Sequence, residues 1–220
     1  MIHKRLSEIH PSRLLDIGCG CGKFTATLSP FCDSIEAIDP APHVIERCTK
    51  EQSRTNISYK VMDGTSLQYG DKHFDVSLIR GSLHHIQDWK KVLKEAIRVT
   101  RKMILIEEPV TDLRSESKRN REKAQNLFLE IQAEAHWPHF PHIPIAEITN
   151  FLRQNGLRTE YVITRSNDTA TFDEFFGPFQ SFVEKTNHPE YWIGRLNALR
   201  SELGNGPIAE DDLVFIEGAL

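Results

Sequence analysis

The sequence predicts an α/β fold, a doubly wound parallel sheet with helices on both faces, and three observations predict it. Strand-like and helix-like patterns alternate from residue 12 to about residue 108, as they do in parallel sheets. Three glycines at alternate positions, Gly18, Gly20 and Gly22, stand between a short apolar run and a helical stretch, where open α/β sheets bind nucleotides. Two further apolar runs end in acids, Asp39 and Asp63.

The elements follow in order. Arg13 to Ile17 reads as the first strand. Lys23 to Leu28 reads as a helix that Pro30 closes, because proline cannot continue it. Ser34 to Ile38 alternates apolar and polar residues and ends in Asp39-Pro40, a second strand. Pro42 can open the next helix, through Gln52, since its missing N–H is not needed in a first turn. Ile57 to Met62 is the third strand, with Asp63-Gly64 after it. Phe74 to Ile79 suits a buried central strand. Asp88 is placed to cap a helix whose Val92, Leu93, Ala96, Ile97 and Val99 share one face. Met103 to Ile106 is the fifth strand.

Downstream the pattern is less regular. Ala124, Leu127, Phe128, Ile131 and Ala135 recur at helical spacing, which predicts an amphipathic helix over 115–135. The segment His136-Trp137-Pro138-His139-Phe140-Pro141-His142 is neither helix nor central strand. Ile145 to Gln154 reads as a helix ended at Asn155-Gly156, and Arg158 to Arg165 and Asp212 to Glu217 read as strands. Between those strands Phe recurs at 172, 175, 176, 179 and 182. The chain therefore reads as one domain, 1–220, with 111–143 and 166–208 as segments added around the sheet. The amino-terminal extension, about a dozen residues, is too short for a large helical cap.

Composition narrows the function classes. With 220 residues, 39% hydrophobic and 26% charged, the chain has the make-up of an ordinary globular domain. A net charge of −4 argues against a general nucleic-acid surface. Its basic cluster, Arg114, Lys118, Arg119, Arg121 and Lys123, is interleaved with Glu116 and Glu122 and reads as a solvated helix face. No stretch reaches the ~18 apolar residues of a membrane span. Four cysteines, Cys19, Cys21, Cys32 and Cys48, lack zinc-site spacing, and no export signal argues for disulfides, so free thiols and a cytoplasmic location are expected.

The glycine loop poses a choice of ligand. A dinucleotide fingerprint would place its third glycine at position 23, which is Lys23; the glycine is Gly22. Asp16 precedes the loop, and its charge would repel a pyrophosphate but attract an ammonium. Both details favour S-adenosylmethionine over NAD. The plainer alternative is a Gly-rich turn beside a solvated or capping Asp.

Five stretches, LLDIGCGCGKFT, IEAIDP, VMDGTSL, FDVSLIRGSLHHIQD and ILIEEP, cover residues 14 to 109 in order. On them the chain resembles the class I S-adenosylmethionine-dependent methyltransferases, and within these the UbiE-like, small-molecule branch (methyltransferase type 11-like). IPIAEITNFLRQNGL and the strand after it fit that family's later helix and strand. The resemblance implies a Rossmann-like sheet of seven strands, mostly parallel with an antiparallel last strand. Helical insertions would follow strand five and separate strands six and seven, and by the same resemblance 111–143 and 166–208 would cap the substrate. It also implies transfer of a methyl group from S-adenosylmethionine to a small-molecule acceptor, leaving S-adenosylhomocysteine.

By the same resemblance, Gly18, Cys19, Gly20 and Gly22 would carry the methionine tail, with Asp16 near its ammonium. Asp39 would accept the ribose hydroxyls, Pro40 and Ala41 would flank the adenine, and Met62, Asp63 and Gly64 would meet the ring. Arg80 and Gly81 would offer a backbone carbonyl to the amine, although an Arg there is unusual for the family. Asp39 could instead cap the next helix, and Asp63-Gly64 could be a plain turn.

His84 and His85 lie where a general base could reach an acceptor, yet a structural or cofactor-shielding role is the preferred expectation for them. His136, His139 and His142 invite a metal reading, but intervening prolines and the lack of an evident supporting acid favour an ordered lid, and no metal is expected. The Phe-rich segment could line an acceptor pocket, pack onto the sheet or form a homodimer face, with packing as the default. Competing functions are RNA or protein methylation, a non-catalytic S-adenosylmethionine-binding protein and, more distantly, a nicotinamide oxidoreductase. The acidic balance and the absence of an Asn/Asp-Pro-Pro-aromatic motif after strand four weigh against base methylation.

Overall fold

A computed structural model describes residues 1–111 and 113–220, with every side chain among them except that of Phe179. Phe179, counted in the Phe-rich segment, therefore lies outside the described residues as a side chain.

Seven strands form one sheet: β1 (Arg13–Ile17), β2 (Ser34–Asp39), β3 (Ile57–Val61), β4 (Phe74–Arg80), β5 (Thr100–Val110), β6 (Arg158–Thr164) and β9 (Asp212–Ala219). Their order is β3-β2-β1-β4-β5-β9-β6. The first five are parallel, and β9 runs antiparallel to both β5 and β6. Strand order reverses between β1 and β4, which opens a crevice at the carboxyl ends of these strands. A short ribbon, β7 (Thr169–Ala170) with β8 (Ile208–Ala209), lies apart.

Alternation along each strand sends neighbouring side chains to opposite faces. Leu15, Ile17, Phe74, Ile79, Ile104 and Ile106 meet α4 (Trp89–Val99) and α6 (Ile145–Gln154) on one face. Leu14, Val76, Leu78 and Leu105 meet α1 (Ile2–Ile9) and α2 (Lys23–Leu28) on the other. The helix α3 (Pro42–Glu51) packs on β2 and β3, with Ile45 and Cys48 buried. The helix α1 is an addition to the sequence reading: Ile2 and Leu6 are buried in the core, worth about 1.5–3 kcal/mol each.

The two added segments pack on each other. The helix α5 (Glu116–Glu134) shares a separate apolar cluster with α7 (Phe172–Phe176), α8 (Gln180–Val183) and α9 (Pro189–Leu203). Phe175 and Phe176 are buried in it and Phe172 and Phe182 pack against it, so the described Phe side chains serve internal packing. Among the described residues, no helix is long and apolar enough to cross a membrane.

Several local expectations need correction. Asp88 occupies the position before α4 but makes no side-chain cap; its carboxylate takes the Lys91 ammonium at 2.6 Å instead. Strand β5 extends well beyond Met103–Ile106, because β9 pairs along it as far as Val110. The helix α2 does end at Leu28, and Pro30 sits in the short 3-10 turn that follows, Ser29–Phe31, where its missing N–H is tolerated. The basic face of α5 is only partly solvated: Arg119 and Lys123 are exposed, whereas Lys118 and Arg121 are half-buried. Lys118 pairs with Asp212 at 2.7 Å, Arg121 pairs with Asp211, and Lys123 reaches Glu202 at 2.5 Å.

One buried acid ties the sheet's lower end. Asp75, with its side chain fully buried, accepts from Arg101 Nε at 2.7 Å and lies 2.8 Å from Lys102 Nζ. It also accepts the backbone N–H groups of Ser12 and Arg13. These donors, the Arg101 bond foremost, hold its carboxyl far below the usual carboxylate range. A depressed acid stabilises the fold above its unfolded pKa, and that share is lost as pH falls through the carboxylate range toward the folded value. Asp75→Ala should therefore lower unfolding free energy by about 2–3 kcal/mol in urea titrations at pH 7. The difference from wild type should shrink below about pH 4.

Candidate functional site

The site is built on the carboxyl ends of β1, β2 and β4. Gly18, Gly20 and Gly22 all adopt left-handed φ, at 76°, 52° and 70°, a region that disfavours residues with a Cβ. The loop folds back so that the Gly18 and Cys19 N–H groups donate to Ile38 O at 2.8 and 3.0 Å. A Cβ on Gly18 would lie 2.6 Å from that of Ser82, whereas one on Gly20 would meet only open space. Gly20 thus leaves bare backbone for a ligand, and Gly18 admits the neighbouring loop. Cys48 Sγ donates to Gly20 O at 3.0 Å. Burial pushes the Cys19 and Cys48 thiols up, which leaves them neutral packing groups.

The acids surround this loop. Asp16 is 3% exposed and accepts from Thr25 Oγ1 at 2.6 Å. Desolvation raises its pKa to about 6 against the opposing effects of Thr25 and Arg80. It is a buried carboxylate with one neutral hydroxyl partner beside exposed glycine backbone, which suits an ammonium. Asp39 accepts Gly20 N at 3.2 Å through one oxygen and Ala41 N at 3.0 Å through the other. Each oxygen keeps a lone pair for a further donor. A hydroxyl pair and an ammonium both find acceptors here, so the donor set fits S-adenosylmethionine.

The remaining sequence candidates divide. Pro40 and Ala41 lie directly beyond Asp39, and Met62 N donates to Asp39 O at 3.1 Å. Asp63 is exposed but shares its carboxylate with Thr65 N at 2.8 Å. Gly64 is buried, and a Cβ there would stand 3.0 Å from Ile17 Cγ2, so core packing already requires a glycine. Arg80 has a plain account: its Nε donates to Glu107 at 2.7 Å and its guanidinium lies over the Phe24 ring at 4.2 Å. Gly81 has a left-handed φ of 56° and donates its N–H to Glu107 O at 2.8 Å.

Sequence reasoning missed Glu108, whose only signal was a carboxylate in the apolar run ILIEEP. It is 3% exposed and accepts Ser82 N and Leu83 N at 2.8 and 2.9 Å through Oε1. Its Oε2 lies 2.7 Å from His84 Nδ1. One buried carboxylate thus shapes the loop after β4. His85 follows, with Nδ1 3.0 Å from Pro138 O.

The histidines gather differently from their spacing. His136 has a left-handed φ of 56° and is exposed, whereas the His139 ring lies tilted at 5.1 Å from His84 and 4.6 Å from His85. His142 stands 6.0 Å from His84. Burial lowers His85, His139 and His142; neighbouring histidines add to it at His85 and His139, where His139 reaches about 3, while at His142 the Asp211 charge opposes it. These rings and Phe128, Trp137, Phe175 and Phe182 line a cavity of about 320 Å³ between the sheet edge and both added segments.

Known proteins carry matching features. Residues 15–103 match the family model described as a methyltransferase domain. The chain is 25% identical to a 27-O-demethylrifamycin SV methyltransferase of Amycolatopsis mediterranei, over 86% of this chain and 72% of that protein. It is 28% identical to the uncharacterized methyltransferase YcgJ of Bacillus subtilis over 46% of its length. That sequence match spans 44% of YcgJ, less than half of the relative. The YcgJ crystal structure superposes with a TM-score of 0.71 at 18% identity, covering 99% of this chain and 98% of that one. NodS of Bradyrhizobium japonicum, an N-methyltransferase solved with S-adenosylhomocysteine, superposes at 0.58 and 15% identity, covering 99% and 83%. These superpositions establish the shared fold.

Asp16 gives the site a pH signature. With a pKa of about 6, the ionised fraction drops about tenfold from pH 7 to pH 5. With its ammonium against Asp16, as the resemblance implies, S-adenosylhomocysteine should bind about tenfold more weakly at pH 5 in calorimetry. Asp16→Asn should bind weakly at both pH values and show no such slope.

Proposed function

Given that residues 15–103 match a methyltransferase domain, we propose that the chain transfers a methyl group from S-adenosylmethionine to a small-molecule acceptor. The observation that supports this most directly is an adjacency. Gly20 N donates to Asp39, and Ser82 packs on Gly18. His84 and His85, the second and third residues after Ser82, line the cavity that the two added segments also wall.

S-adenosylmethionine, when bound, supplies a methyl group on a sulfonium, already activated toward displacement. The chain's residues then hold and align. Asp16 holds the ammonium, and Asp39 accepts the ribose hydroxyls. Pro40, Ala41, Met62 and Asp63 border the adenine, and the backbone at Arg80–Gly81 faces the methionine end. Gly18, Gly20 and Gly22 permit close approach of the main chain. His84, fixed by Glu108, is a positioning residue for the loop, and His85 faces the acceptor cavity. Aligning two bound reactants while excluding water accounts for a barrier reduction on the order of 7–11 kcal/mol. The added segments, 111–143 and 166–208, form the acceptor's walls, and their aromatic lining suits an apolar molecule over a nucleic acid. The acidic balance of the chain points the same way, and a cytoplasmic setting fits its free thiols.

Incubation with methyl-labelled S-adenosylmethionine and separated cell fractions tests this reading. Label should enter the low-mass extract. Label confined to RNA or protein would overturn the small-molecule assignment, and cofactor binding without any transfer would make the chain a binding protein.

Gly20 provides a second check. Gly20→Ala meets no steric neighbour, so its stability loss should stay near the left-handed penalty of about 1–2 kcal/mol. Its affinity for S-adenosylhomocysteine in calorimetry should nevertheless fall more than about tenfold, because the added methyl occupies the ligand's place.

A further inference from the structure

We infer that His84, His85 and His139 form a binding site for one divalent ion of the Zn²⁺ class, with an open position facing the acceptor cavity. One ring nitrogen from each lies within 4.8 Å of the other two. Two sequence-distant loops supply them, so neither spacing nor a local motif explains the convergence.

The hydrogen bonds decide which nitrogens are available. Nδ1 of His84 faces the Glu108 carboxylate at 2.7 Å, Nδ1 of His85 faces the Pro138 carbonyl at 3.0 Å, and Nδ1 of His139 faces Gln132 Oε1 at 2.6 Å. All three partners are acceptors, so each Nδ1 donates its proton and each Nε2 carries the lone pair. Among the described residues, Nε2 of His84 and of His85 make no hydrogen bond, and that of His139 has only Gln125 Nε2 at 3.4 Å. The nitrogens left for a ligand are therefore the Nε2 atoms, and a cation is the partner that three such acceptors can share. A carboxylate, a carbonyl and an amide oxygen behind three imidazoles is also the support that metal-ligating histidines require.

The loops are pinned together as well. Phe140 N donates to His84 O at 2.8 Å, and His139 is anchored through Gln132 to α5. A tetrahedral ion with N ligands near 2.0–2.1 Å needs nitrogens about 3.4 Å apart, so the rings need only a small inward turn. Three neutral imidazoles suit Zn²⁺, Co²⁺ or Ni²⁺ and not Mg²⁺ or Ca²⁺, which favour oxygen. His142, with its ring 6.0 Å from that of His84 and its Nδ1 3.3 Å from Thr111 Oγ1, stays outside the triad.

Binding of the ion stands on these residues alone, whereas its use in catalysis rests on the proposed methyl transfer. An ion here favours an alcohol or phenol acceptor. It lowers the pKa of a hydroxyl held at the open position, whose proton leaves to solvent. The oxygen lone pair then forms the bond to the methyl carbon while the carbon–sulfur bonding pair stays with sulfur.

The test uses the full chain without a polyhistidine tag, stripped with chelator and titrated with Zn²⁺ against a chromophoric competitor. Co²⁺ spectra report the coordination geometry. One tight Zn²⁺ per chain is expected, with affinity reduced at least about tenfold by His85→Ala, His139→Ala or Gln132→Ala. His136→Ala should bind as wild type does. S-adenosylhomocysteine binding by every variant serves as the check on folding. Absent stoichiometric binding, or binding indifferent to both His85→Ala and His139→Ala, overturns the ion site while leaving the methyltransferase reading intact. Intact Zn²⁺ binding in a chain that never binds S-adenosylhomocysteine overturns the latter alone.

Discussion

The Glu108 carboxylate is the contact on which the site's geometry depends. It leaves β5 buried and collects Ser82 N, Leu83 N and His84 Nδ1. Ser82 in turn donates to Ile17 O at 3.2 Å and packs where a Gly18 side chain would stand. The glycine loop, the loop after β4 and the first histidine are therefore fixed by one charge. Such a charge is tolerated in the interior because three donors satisfy it. Removing it would leave several buried donors unpaired, so the loop's shape and the fold's stability are coupled.

Around that contact the molecule divides its labour. The glycine loop and Asp39 are held by backbone bonds between β1 and β2 and owe little to the added segments. The acceptor side is assembled from elsewhere: Phe140 N docks on His84 O, and Arg121, paired with Asp211, stacks over Phe175 at 4.6 Å. Both residues of that ion pair line the histidine cavity. The cap thus has its own apolar cluster and contacts the sheet through polar and aromatic groups. On the proposed reading, a core that binds the cofactor and a cap that selects the acceptor can then vary independently in sequence.

Sequence legibility followed the range of the interactions. The seven strands of the main sheet, α2 to α6 and the glycine loop were readable because hydrophobic periodicity, proline and glycine act over a few residues. The cap's fold was not, since Phe172, Phe175 and Phe176 read equally as core, pocket or interface until α5 is seen against them. The helix α1 was overlooked because its two buried residues, Ile2 and Leu6, give too short a pattern. Asp88 and the basic face of α5 show a second failure. A local rule assigned each a solvent or cap role, and ion pairs with Lys91, Asp211 and Asp212 took precedence. The three-histidine cluster was hidden for the same reason, and the even spacing of His136, His139 and His142 misdirected attention along the chain. Glu108 lay within a recognised stretch, yet only its burial reveals what it holds.

The central claim is that the glycine loop, Asp16 and Asp39 bind S-adenosylmethionine. A thermal-shift comparison of S-adenosylmethionine, S-adenosylhomocysteine and NAD at equal concentration addresses it most directly. The account predicts a raised melting temperature with both sulfur ligands and none with NAD. A shift with NAD alone would contradict it.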